Sequence, residues 1–446
     1  MSVLPNGPRV PAVLQVLRWL RQPIAMLEAC RRRYGDTFTL RFPGFDPLVL
    51  VSDPAAIKEI FTGDPDELRA GEANVVLAPF VGPDSLLLAD GARHRRKRRL
   101  LMPSFHGERM KVYGELMRTI TDRVIDAWPI GRAFPIQVET QRITLDVILR
   151  TVFGLDEGAQ MEALRARLVE GASVVTEHPM LMLKWLQRDL GPLTSWRRVE
   201  RIRAEADAIL FAEFARRRRE DRSDRTDILS MVMGARDEEG RAMSDAELRD
   251  EMITLLLAGH ETTATTLAWV IQHVLERPAV HARLRAELLE RGTGAPGEPG
   301  GADDLPYLDA TIKETQRLMP IIPLVGRRLH TAMRIGGHEL PAGVVAAPCA
   351  YLAHRRPDLW EEPDVFHPER FLGKRPSPYE FFPFGGGARA CLGAAFAGFE
   401  MKIVLARILA RVEMHAVPGY RVRVVRRGIT FAPSQGMPVV IEQRAA

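Results

Sequence analysis

A mainly α fold with a minor β component, formed as a single domain over residues 1–446 with 1–20 as an N-terminal lead segment, is what this sequence predicts. Three observations carry that expectation. Helical patterning dominates from about residue 90 to 290. Strand-like stretches are short and lie toward the two ends of the chain. No internal repeat is visible and nothing divides the core, while 46% hydrophobic and 27% charged residues are ordinary for a globular protein.

The elements follow in chain order. "TFTLRF" and "LVLVS" alternate or run apolar, which predicts a small hairpin near Thr37–Ser52. "DPAAIKEIFTG" reads as a short helix capped by Asp53 and ended by Gly63. Residues 66–88 show no clean period and read as a long loop, a feature that is usually functional inside a compact domain. In "SDAELRDEMITLLLAGHETTATTLAWVIQHVLERP", Ser244 and Glu247 form a capping box and Pro278 lies just past the other end. A helix from Ser244 to Glu276 is about 50 Å long at ~1.5 Å per residue. Its middle is apolar all round, so it should cross the centre of the protein. "RGTGAPGEPGGADD" contains a literal G-x-G-x-x-G from Gly292 to Gly297. No strand precedes it and Pro296 and Pro299 spoil a following helix, so it reads as a surface loop and not a nucleotide site. Short strands return around 335–350 and 420–442.

Several function classes fall away. Three cysteines, Cys30, Cys349 and Cys391, make neither a disulfide framework nor a four-cysteine zinc site, and they suit a reducing cytoplasm. The N-terminal residues are broken by arginines and prolines, so no signal peptide, spanning helix or membrane anchor is expected. Lys+Arg 62 against Asp+Glu 57 is too mild an excess for nucleic-acid binding. One dense run, "RHRRKRR" from Arg93 to Arg99, reads most simply as a solvated helix face.

Chemistry concentrates in a few stretches. "FGGGARACLG" places Cys391 two residues after Arg389 and behind three glycines. Glycines there disfavour regular structure and suit a backbone that turns sharply against something flat. Arg389 favours the thiolate, the form that binds metals or attacks carbon. "AGHETT", inside the long helix, fails as a zinc motif because position 264 is alanine. It leaves Ala258, Gly259, Glu261 and Thr262 in an apolar setting, where Thr262 can bond back to a helix carbonyl and Glu261 needs water or a partner. "KETQRLMP" sets Glu314 and Arg317 on one helical face, and "FHPERF" supplies Arg370 for a buried, bidentate network.

These stretches, in this order, resemble the cytochrome P-450 superfamily of haem-thiolate monooxygenases over almost the whole chain, and the soluble bacterial type in particular. "FGGGARACLG" is similar to the family's haem-binding loop from Phe384 through Gly393, "KETQR" to its E-x-x-R helix and "AGHETT" to its oxygen-activating helix. The resemblance implies the cytochrome P-450 fold, with haem b buried between the long central helix and the cysteine loop. Cys391 is then the axial ligand of the iron, Gly385 lets the loop lie against the porphyrin, and Phe384 and Gly393 flank the ligand. Arg389, Arg327 or Arg328, and the pair His94 and Arg98 are implied as propionate partners. Ala258 and Gly259 line the cofactor, Thr262 and Glu261 handle protons during oxygen activation, and Glu314, Arg317 and Arg370 are structural. Arg95, Arg96 and Lys97 are expected on a proximal face that attracts an acidic redox protein.

The implied reaction is insertion of one oxygen atom from O2 into a C–H bond, with NAD(P)H electrons delivered by a separate ferredoxin or flavodoxin and its reductase. The chain is expected to work as a cytoplasmic monomer. A peroxide-driven peroxygenase and a non-catalytic haem sensor are the rival readings. The first fits poorly with the Glu261–Thr262 pair, and the second gives that pair no task. For a substrate pocket the candidates are Val76, Leu77 and Phe80, Met180 and Met182, Ala258 and Thr262, Ile322, Leu324 and Val325, and Gln435. They suit a fatty acid, a terpenoid or a macrolide-like molecule, with no fixed charged anchor.

Overall fold

The residues that precede the first strand are tied to it. Thr39 takes a backbone bond to Asn6 and donates its hydroxyl to the Pro5 carbonyl at 2.7 Å, so the lead segment is stitched to the sheet. In the computed structural model the described residues are 4–105, 109–154, 158, 162–167, 169–171, 195–220, 225–292, 301 and 304–445.

They form two compact units. The first comprises residues 1–69, 110–144 and 261–446 and holds all the named strands. Thr37–Leu40 and Leu48–Val51 pair antiparallel, as the alternation predicts. Leu48–Val51 then runs parallel to Val345–Pro348, which pairs with Arg327–Leu329 and through it with Leu68–Arg69. A second sheet joins Ala133–Pro135, Pro438–Arg444 and Val412–Ala416, and two small hairpins complete the β structure. Helix Pro54–Thr62 starts on Asp53, whose carboxylate accepts the Ala56 N–H at 3.0 Å, and stops at Gly63. Apolar residues from the large sheet and this helix, Val49, Ile57, Phe61 and Leu329 among them, make one core cluster with Phe382. Trp269, Phe38, Phe431 and their neighbours make another.

The second unit comprises residues 70–109 and 145–260. Residues 66–88 are not a structureless loop. They fold into short turns at Ala70–Ala73, Val75–Leu77 and Ala78–Val81, too brief to leave a periodic signal. Helix Asp245–Leu275 contributes its first half to this unit and its second half to the other. Its capping box is present in both directions: Ser244 N–H donates to Glu247 at 3.0 Å and Glu247 N–H to Ser244 Oγ at 3.2 Å. Among the described residues no helix is long and apolar enough to cross a membrane.

Candidate active site

Cys391 is exposed, whereas Cys30 and Cys349 are buried. Burial pushes the Cys349 thiol up to about 12 and raises Cys30 as well, so neither is a thiolate donor. Cys391 is therefore the one cysteine whose chemistry fits an iron ligand. Its N–H donates to the Phe384 carbonyl at 2.9 Å, closing a loop that contains a short turn at Gly387–Arg389. Helix Ala394–Arg411 begins at Gly393, two residues later, so the positive end of its dipole favours negative charge near the sulfur.

The glycines answer first to protein. A Cβ on Gly386 would lie 2.2 Å from the Phe61 ring, and one on Gly387, at φ +65°, 2.0 Å from the Phe61 carbonyl oxygen. Gly385, at φ +68°, has ordinary space beside Val325. Glycine is thus required because the loop presses on helix Pro54–Thr62, a cause separate from any flat ligand. Arg327 is buried, donates to the carbonyls of Gly326 and Gly386, and stands 5.9 Å from the Phe61 ring centre. Arg328 instead pairs with Asp46 at 2.8 Å on a partly exposed site. Of the two, Arg327 belongs to the cysteine loop. Arg389 and Phe384 are half-buried there.

Behind the loop lies the predicted network. Glu314 and Arg317, both fully buried, form a two-pronged pair at 2.7 and 2.9 Å. Arg370 and the His367 N–H also bind Glu314, at 3.1 and 2.8 Å. Arg317 further donates to the carbonyls of His354, Pro363 and Val365. Sequence reasoning missed His354. Its carbonyl accepts from Arg317, while its Nε2 accepts the Phe382 N–H at 3.0 Å, at the start of the cysteine loop. Nothing in the spacing marks this residue, since its partners lie far away in sequence.

On the long helix Glu261 and Thr262 are half-buried. The partner that Glu261 requires is Gln141, whose amide donates to it at 2.6 Å, and this too was missed. Thr140 donates to the Ala264 carbonyl at 3.0 Å and Gln137 to Thr265 at 3.1 Å, which fixes the turn after Thr262 to helix Ile136–Thr151. The Thr262 carbonyl accepts from Thr266 at 2.9 Å.

In the other unit Ala258 is exposed and Gly259 half-buried, and a Cβ on Gly259 would meet Ile148 at 2.8 Å. His94 is buried on helix Gly91–Leu101, with half-buried Arg98 one turn further on. The same helix overturns the expectation for the basic run. Lys97 is fully buried, 3.1 Å from fully buried Glu251 and 3.4 Å from Glu247. Arg96 is paired with Asp237 at 2.6 Å and Glu247 at 3.0 Å. Neither forms part of an exposed basic face, because desolvated cations there need their carboxylates; of the three expected to greet a partner only Arg95 is exposed.

The pocket candidates fall in both units. Val76, Leu77 and Phe80 are half-buried, and the Phe80 ring packs edge-on against Trp196 at 6.4 Å. Ile322, Leu324 and Val325 are half-buried beside a bridge from Leu324 to Cys349. Gln435, held at φ +54°, lines an open depression with Tyr420, Arg421 and Arg423. Met180 and Met182 lie outside the described residues.

Known proteins match this arrangement. The family model for cytochrome P450 covers residues 4–437. Cytochrome P450 135B1 of Mycobacterium tuberculosis is 41% identical over 440 residues, 97% of this chain and 90% of its own. Cytochrome P450 137 of the same species is 36% identical over 409 residues, 92% and 83% of the two chains. Among solved structures, cyanobacterial CYP120A1 superposes with a TM-score of 0.85 at 24% identity, covering 99% of this chain and 100% of its own. The P450DA heme domain gives 0.84 at 24%, with 100% and 99% covered. An exposed cysteine on a glycine loop, backed by a buried Glu–Arg–Arg network and accompanied by this whole-length similarity, leads to one conclusion: the chain belongs to the cytochrome P450 family and is a haem monooxygenase.

Proposed function

We propose that this monooxygenase inserts one oxygen atom from O2 into C–H bonds of a lipophilic small molecule, using NAD(P)H electrons relayed by a separate redox protein. The observation that carries the reading is the adjacent Glu261 and Thr262, with Glu261 held by Gln141. A carboxylate and a hydroxyl maintained side by side in a mainly apolar helix suit proton delivery, which O2 chemistry needs and peroxide-driven chemistry does not.

Haem held through Cys391 supplies the oxygen-activating chemistry, since a thiolate ligand favours O–O cleavage. Each residue then has a task. The Cys391 N–H bond to Phe384 fixes the loop, and Arg327, Arg389, His94 and Arg98 are the cationic or imidazole groups suited to propionates. Thr262 holds a proton toward the reacting oxygen, and Glu261, half-buried and within reach of water, replenishes it. Glu314, Arg317 and Arg370 keep the backbone behind the loop in place. Ala258, Ile322, Leu324 and Val325 offer apolar surface and no charged anchor, which supports a lipophilic substrate. Retinoic acid, bound in the cyanobacterial CYP120A1 structure, is one such compound to include in a panel.

The test is turnover of a lipophilic panel with NAD(P)H, a ferredoxin and its reductase, set against peroxide alone. Electron-dependent product is expected, and Thr262→Ala should release peroxide in place of most product. Activity with peroxide only, or unchanged coupling in Thr262→Ala, would overturn the assignment. Cys391→Ser should lose the red-shifted band of the reduced, carbon-monoxide-bound protein.

A further inference from the structure

Helix Ala12–Arg21 is mounted back to front. A surface helix ordinarily buries its apolar stripe. Here the buried positions are Gln15 and Trp19. The Gln15 amide donates to the carbonyls of Pro8 and Val10 at 3.2 and 2.9 Å, and its oxygen accepts the Arg41 N–H at 3.0 Å. Trp19 packs 6.2 Å from Phe42 and 6.3 Å from Phe431. The opposite side carries Val13, Leu14 and Leu17, exposed by 59, 52 and 39%, and Val10, just before the helix, is exposed by 51%. Val13 and Leu17, at i, i+4 with Leu14 beside them, make one stripe and not the scattered single residues that any surface shows. The hairpin that binds Gln15 and Trp19 also exposes Phe45 at its turn, by 43%.

Charge selects the occupant. Arg9, Arg18 and Arg21 are exposed around the stripe, and the sequence has no acidic residue before Glu28. A second copy of the chain would bring the same arginine-rimmed patch to both sides of a two-fold contact, with no acidic residue from the first 27 positions to answer the arginines. An anionic bilayer surface would take both features together: aliphatic side chains at the acyl boundary and guanidiniums among phosphate headgroups. Exposed Phe45, on the hairpin that packs against this helix, is of a residue type that suits the same interface.

We propose that this N-terminal face is a peripheral docking surface for anionic phospholipid membranes. The helix, at 10 residues, lies on the bilayer and does not enter its core. The inference rests on this N-terminal face and stands whether or not the substrate class is as proposed.

The experiment sediments the haem-loaded protein with vesicles of phosphatidylcholine, with and without phosphatidylglycerol. Binding is expected only with the anionic lipid, and added salt should weaken it. Val13→Asp with Leu17→Asp, and separately Arg18→Gln with Arg21→Gln, should each lower partitioning by about tenfold or more. Both variants should keep the wild-type carbon-monoxide spectrum, since they change exposed positions only. No wild-type binding, equal binding to neutral vesicles, or binding indifferent to these substitutions would overturn the proposal. So would a wild-type dimer in sedimentation equilibrium that the Val13→Asp, Leu17→Asp variant converts to monomer, because the stripe would then belong to a second copy.

Discussion

His354 shows how much one buried side chain can transmit. It is fully buried, and burial, reinforced by the neighbouring Arg317 and Arg355 guanidiniums, pushes its pKa down to about 3. The imidazole is therefore neutral near pH 7, with Nε2 free to accept the Phe382 N–H. Phe382 in turn accepts from Gly385, and Phe384 from Cys391. A hydrogen-bonded path thus runs from the Glu314–Arg317 pair to the residue that carries the sulfur. His354→Ala would orphan a buried N–H, at a cost of about 1–3 kcal/mol. The expected outcome is partial loss of the red-shifted carbon-monoxide band, with more of it kept in His354→Gln, which retains an acceptor. An unchanged spectrum in the alanine variant would remove His354 from the positioning of the loop. The motif residues Cys391, Glu314, Arg317 and Arg370 were legible because each belongs to a short pattern. His354 and Gln141 were not, because an isolated polar residue acquires its role only from partners that the fold brings to it.

Among elements, the long helix and helix Gly91–Leu101 make the contrast sharpest. The start of the long helix could be read directly, since a capping box needs only residues three apart. The inward turn of the basic helix could not. Lys97 looks like one more surface cation until Glu251, 154 residues away, is folded beside it. Glu251 also accepts the Leu86 N–H at 3.1 Å, so the pair fastens a third segment. Lys97→Met should destabilise the protein by about 3–5 kcal/mol, because it strands a buried carboxylate. Adding Glu251→Gln should recover much of that loss while keeping an acceptor for Leu86. Urea unfolding of the two single variants and the double variant measures the coupling, and additive effects would mean that the ion pair contributes nothing of its own.

For the whole molecule, buried titratable groups of opposite sign shape the response to pH. Besides His354, buried His273 is pushed down to about 3, chiefly by burial. An unfolded histidine takes up a proton first as pH falls below about 6.5, so the stability these two contribute is lost from there down to about pH 3. Burial acts the other way on acids, raising Glu251 to about 7 and Glu400, whose oxygens find no hydrogen-bond partner among the described residues, well above its usual range. Their contribution is whole below about pH 4.5 and fades as pH rises through the folded values. The pairs offset one another between about pH 4.5 and 6.5. Below that the histidines lose stability together with carboxylates held low by arginines, among them Asp36 and Asp358 beside Arg356 at 2.6 and 2.7 Å and Glu213 beside Arg216 and Arg217. Thermal unfolding across pH should therefore show a broad maximum near pH 5–6, a steep acid limb and a gentler alkaline one, with each group contributing a slope of about 1.4 kcal/mol per pH unit. A maximum above pH 8 would contradict the balance. The unequal treatment of the three cysteines has a practical side. With Cys30 and Cys349 sealed, a maleimide dye should find a single addressable sulfur, and under the proposed ligation iron would compete for it. Dye uptake per molecule thereby counts how much of a preparation still awaits its pigment.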